Sequence, residues 1–155
     1  MGFYKKFLVV LSACFVFACA GKFVPSTPLE TLKAYTLAIK KKDSTQMKLL
    51  LSDASIKMAD QEAKAQNVTL DEIVKRETLF SETQRSVEFR NEKVDGDKAT
   101  IEMKDSFETW ITVPFVREEG VWKIDKQGFA NQMMQQIEEE NNKRLDDIIN
   151  ESKLP

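Results

Sequence analysis

The feature that most constrains this chain is a change of hydrophobic period near Ser86. Before it, apolar residues recur every three to four positions; after it, they alternate with polar ones. Helices first and strands second is the order of an α+β domain. Thr27-Pro28-Leu29-Glu30 opens the helical part: Thr27 can cap, Pro28 suits the first helical position and Glu30 completes a capping box. Leu29, Leu32, Thr36 and Ile39 follow at helical spacing with Tyr35 alongside, which predicts a helix to about Lys41. Asp43 starts a second, short helix that buries Met47, Leu50 and Leu51. Ile56, Ala59 and Ala63 suggest a third, and the capping box Thr69 to Glu72 opens a fourth that carries Ile73 and Val74 and ends near Phe80.

The strands read as hairpins. Val87 and Phe89 alternate with Glu88 and Arg90, and Asp95-Gly96 is a two-residue turn signal. Ala99, Ile101 and Met103 alternate in turn, and Asp105-Ser106 reverses the chain. Residues 109–117 are apolar on both faces, as a central strand would be, although Pro114 requires a bulge or a local edge. Glu119-Gly120 turns into Val121-Trp122-Lys123-Ile124, which completes an antiparallel meander of about four strands. Residues 129–155 read as a C-terminal helix and tail. Phe129, Met133 and Ile137 form one stripe, expected to pack on the domain. Leu145, Ile148 and Ile149 form a second patch, expected to extend away or fray.

The N-terminus reads as an address. Lys5 and Lys6 precede the apolar run 7–18 (FLVVLSACFVFA), and Ala20, Gly21 and Lys22 follow. That order is a signal peptide. Residues 7–20 as a helix span only about 21 Å, short of the ~30 Å hydrocarbon core, so a permanent span is the weaker reading. Val16-Phe17-Ala18-Cys19 resembles a bacterial lipobox. Leu11-Ser12-Ala13-Cys14 matches the usual residues better but leaves a very short apolar run, so length favours Cys19 over Cys14 as the lipidation site. The lipobox resemblance implies a diacylglyceryl thioether and an amino-terminal acyl chain such as palmitate; two or more chains anchor stably where one does not. Ala20 is not the aspartate that marks inner-membrane retention, so the outer membrane is favoured over the inner. The alternative is cleavage after Ala20 and a soluble periplasmic or secreted product. The expected organisation is signal peptide 1–18, tether 19–26, folded domain 27–128 and C-terminal helix and tail 129–155.

Composition narrows the chemistry. The chain has no histidine, and its two cysteines, Cys14 and Cys19, both lie in the N-terminal apolar stretch. The domain therefore lacks the residues for His- or Cys-based metal sites, for haem, and for Ser-His-Asp or Cys-His catalysis. No cofactor and no metal is expected. The net charge of −2 becomes −4 once Lys5 and Lys6 leave with the signal, which gives no electrostatic reason to expect nucleic acid as a partner.

Residues 27–51 (TPLETLKAYTLAIKKKDSTQMKLLL) and 114–125 (PFVREEGVWKID) together resemble the nuclear transport factor 2-like superfamily, and within it bacterial lipoproteins of unknown function. The resemblance implies a cone: N-terminal helices packed on a curved antiparallel meander sheet. Some members of that superfamily are isomerases or dehydratases that place an acid or base inside the cone. Here the acids alternate away from the expected core, and Tyr35, Asp105 and Glu108 are the least unfavourable catalytic candidates. Tyr35, Trp110, Phe115 and Trp122 are the candidate cavity-lining residues. The expectation is a membrane-anchored binding domain that is not an enzyme. Its expected partners are the membrane through the lipid, a small apolar ligand or envelope protein, and a second copy through the open sheet face. The alternatives are an isomerase- or dehydratase-type enzyme with a carboxylate in the cone, or a structural dimerising module.

Overall fold

The computed structural model describes residues 25, 27–81, 84, 86–105 and 107–151. The signal segment, Cys14, Cys19 and all of the tether except Pro25 lie outside the described residues. Helix α1, Pro28–Lys41, starts where Thr27 Oγ1 accepts the Glu30 N–H at 3.1 Å. It buries Thr31, Leu32, Tyr35, Ala38 and Ile39, a face that leaves Thr36 half-buried with its hydroxyl on the Leu32 carbonyl. Lys42 ends it in the left-handed region at φ 55.

Helix α2, Ser44–Leu50, is capped by Asp43, and helix α3, Asp53–Gln66, by Ser52. Helix α4, Leu70–Arg76, has the full reciprocal box between Thr69 and Glu72. It stops at Arg76, short of Phe80. The Thr78 hydroxyl donates to the Phe80 carbonyl at 2.8 Å, a local bond that competes with helical pairing. Phe80 is nonetheless buried, edge-on to the Tyr35 ring at 6.5 Å.

Strands β1 (Phe89–Asp95), β2 (Lys98–Lys104), β3 (Trp110–Glu118) and β4 (Val121–Ile124) form one antiparallel sheet in chain order. The domain is thus α+β, with the meander following the helices and a helix following the meander. Strand β1 starts at Phe89 rather than Val87, and its register slips between Arg90 and Lys93, where Asn91 takes φ 53. From Arg90 onward it is exposed, so Val87 and Phe89 reach only the rim of the core.

The first hairpin closes on Asp95 opposite Lys98, which makes Gly96-Asp97 the loop. Gly96 supplies φ 57 at its first position. The last hairpin carries Glu119 and Gly120 at φ 51 and 80, the two positive angles that suit the twist of the strands. Strand β2 alternates without a break, burying Ala99, Ile101 and Met103. Strand β3 buries Val113, Pro114 and Phe115 in succession, as a strand covered on both faces does. Pro114 pairs in continuous register with Thr100, so there is no bulge. Its carbonyl accepts from Asp125 just past the end of β4, which places its missing N–H at a local edge.

The core joins Leu32, Tyr35, Ile39, Met47, Leu50, Ile73 and Val74 of the helices to Ile101, Met103, Val113, Phe115, Trp122 and Ile124 of the sheet. Thr31 Oγ1 ties α1 to the Trp122 carbonyl at 3.2 Å. Helix α5, Lys126–Glu151, begins three residues before the expected Phe129 and leaves the domain almost at once. Residues 126–130 are half-buried, and residues 131–150 are exposed without exception. The expected packing of Met133 and Ile137 on the domain is therefore corrected: they are 42 % and 52 % exposed. No described helix is long and apolar enough to cross a membrane.

Candidate functional site

Three of the four expected cavity-lining side chains sit in the packed core. Tyr35, Phe115 and Trp122 are between 0 % and 2 % exposed. Trp110 lies half-exposed under the Arg90 guanidinium, 3.8 Å from its ring centroid. None of the four borders either of two cavities present in the described residues.

Two of the three candidate acids and bases are engaged in local structure. Asp105 caps its own turn, accepting from the Phe107 and Thr109 amides at 2.8 and 2.9 Å. Glu108, in the same turn at φ 62, forms an ion pair with Lys104. The Tyr35 hydroxyl is buried with no hydrogen-bond partner, and burial raises its pKa above the ordinary phenol value. Among the described residues three carboxylates have displaced pKa values, and all three are lowered: Asp71 chiefly by the Lys48 hydrogen bond, Glu72 by the Thr69 backbone and hydroxyl, Glu102 by Arg90 and Asn91. Each is held ionised at the surface, the reverse of what a general acid at neutral pH needs.

The larger cavity, about 510 Å³, is a cleft between α1, α2 and α4 that includes Lys42, Glu72, Lys75 and Arg76. Two of its charged groups, Arg76 and Glu72, are engaged in structure. Arg76 binds Glu77 at 3.0 Å and Gln66 at 2.6 Å, and Glu72 caps α4. The smaller cavity, about 150 Å³, lies at the root of α5 between Ala59, Ile73, Val74, Lys126 and Phe129. The Lys126 ammonium donates to the Glu77 carbonyl there, and burial lowers its pKa. Among the described residues no group of three or more side chains could hold a metal ion.

The root of α5 is a polar joint that the periodicity of the sequence did not reveal. Ser52 and Ser55 are buried, their hydroxyls 2.7 Å apart. Ser55 Oγ accepts the Lys126 amide at 2.8 Å and reaches the Ile124 carbonyl at 3.3 Å. Asp125 Oδ1 accepts the Gly128 amide at 2.9 Å, in the manner of an N-cap, and Ser52 Oγ at 3.4 Å. The joint thus fixes the start of α3, the end of β4 and the start of α5 together. The available signal was the spacing Ser52-Asp53-Ala54-Ser55 ahead of Asp125, two capping patterns whose meeting depends on the fold.

From that joint, residues 131–150 project over about 30 Å. They carry Met133, Met134, Ile137, Leu145, Ile148 and Ile149, which are 42–68 % exposed. An apolar stripe on a helix exposed along most of its length is a candidate interaction surface. Water disfavours the stripe, and an isolated helix of this length is marginal without packing. No family model, curated protein or solved structure matches the chain.

Proposed function

We propose that this chain is a lipid-anchored protein of the bacterial cell envelope whose folded domain serves as the base for an interaction helix, and that its role is binding rather than catalysis. The observation that carries the reading is α5, rooted by a buried serine–aspartate joint and exposed along residues 131–150. The address is read from the order Lys5-Lys6, apolar run, Cys19. The order of helices, meander and Gly-x-Trp-Lys-Ile hairpin supports a place near the nuclear transport factor 2-like superfamily. The engagement of Asp105 in its own turn and of Glu108 in an ion pair favours binding over an isomerase or dehydratase.

Two measurements test it. Detergent-phase partitioning of wild type should be lost in Cys19→Ala; unchanged partitioning defeats the anchor at Cys19. Amide exchange of residues 131–150 should be slower in host membranes than in the dilute purified chain. Equally fast exchange in both removes the interaction helix.

A further inference from the structure

Helix α5 mirrors itself about Asn141. Met134 and Ile148 stand seven residues to either side of it, and Ile137 and Leu145 stand four. Glu138 and Arg144 stand three to either side, and Glu139 and Lys143 two. At about 100° per residue, Met134, Ile137, Asn141, Leu145 and Ile148 fall within about 40° of one line along the helix. Their spacing repeats after eleven residues, Met134 to Leu145 and Ile137 to Ile148, which keeps the stripe on one face of a nearly straight helix. All four apolar members are more than half exposed, at 52–68 %.

We propose that α5 pairs antiparallel with α5 of a second copy of this chain, about a two-fold axis at Asn141. This rests on the reading of α5 as an interaction helix and names its partner. A two-fold interface must be self-complementary, and the mirrored stripe lets helices that run in opposite directions set apolar side chains against apolar ones along its whole length. The axis sets Met134 level with Ile148 of the other copy and Ile137 level with Leu145. At about 100° per residue it sets Glu140 of each copy on the same flank of the seam as Arg144 of the other, so an opposite-charge pair can form twice. Asn141 meets its own counterpart in the middle of the apolar seam. A single amide layer of that kind fixes register, because any slip buries it against hydrocarbon. The mixed charges on the open sheet face, Arg90, Glu102 and Lys104, make that face the poorer route to a dimer.

Cysteine cross-linking of the full chain tests the geometry, with Cys14→Ser and Cys19→Ser removing the native thiols and detergent covering the leader. Ile137→Cys and Leu145→Cys are made separately and oxidised alone or mixed. Antiparallel pairing about Asn141 sets 137 against 145, so the mixture should give a disulfide dimer with one chain of each. Like positions stand about 12 Å apart along the axis, beyond the ~7 Å reach of a disulfide, so either variant alone should give little. Ile137→Asp and Ile148→Asp should each abolish the dimer in sedimentation while leaving the thermal transition of the domain in place. Cross-linking of the single variants as strong as that of the mixture overturns the proposal, as does a dimer that survives both aspartates, or a monomer throughout. If residues 131–150 are exchange-protected in host membranes while the chain stays monomeric here, self-pairing fails and the interaction reading stands. If protection is absent as well, both fail.

Discussion

Asp125 links two elements that are far apart in sequence. Its carboxylate caps the first turn of α5 and accepts from Ser52 at the head of α3, while its amide donates to the Pro114 carbonyl. Asp125→Ala removes the cap and leaves the Ser52–Ser55 pair short of an acceptor. The expected loss is about 1–2 kcal/mol, read as a lower urea midpoint at unchanged slope. Glu72 acts on a smaller scale. The Thr69 amide and hydroxyl hold its pKa below the ordinary 4.5. Its contribution is therefore complete above that value and is lost as pH falls through the folded value. Glu72→Gln can still close the box but carries no charge. Thermal midpoints followed from about pH 6 to pH 3 should fall less steeply in the variant than in wild type.

At the scale of elements, both long helices of the domain end on a left-handed residue: Lys42 for α1 and Asn67 for α3, each at φ 55. The Cβ approaches the following carbonyl in both, but asparagine offsets that cost with a short polar side chain that can bond locally, whereas lysine does not. Lys42→Gly should therefore stabilise the domain by up to about 1 kcal/mol, whereas Asn67→Gly should change it by much less. Chemical denaturation of the two variants side by side checks the contrast. The starts at Thr27, Asp43 and Thr69 and the Glu119-Gly120 turn were legible in the sequence because each is decided within four or five residues, whereas the first hairpin turns at Gly96-Asp97, one residue later than the Asp95-Gly96 signal. The end of α4 was not legible. The Thr78 hydroxyl turns the chain at a point where the apolar pattern still runs on to Phe80, and Phe80 is buried by Tyr35 rather than by helical periodicity.

For the whole molecule, the decisive asymmetry is between a close-packed domain and a helix that leaves it. Residues 131–150 are exposed throughout, so a chain ending at Ala130 should keep its unfolding free energy within about 0.5 kcal/mol. Urea unfolding monitored at Trp122, buried under Arg117 at 4.3 Å, reads the domain alone. A much larger loss would mean that α5 supports the domain and is not an appendage. The four aromatic residues picked as cavity lining illustrate a limit of composition. Large rings inside a small domain fill space, and Tyr35, Phe115 and Trp122 do so here.

Alternation and spacing determined the elements of this protein and their order: helices, then a meander, then a helix, with Ala99, Ile101 and Met103 facing inward. Those patterns are local, and local sterics and backbone hydrogen bonding are enough to set them. Only the tertiary structure decided that Ser52, Ser55 and Asp125 meet, that Pro114 sits where β4 has already ended, and that the stripe on α5 faces water. Each depends on groups far apart in the chain arriving at one place, and no repeat within a short window encodes that arrival.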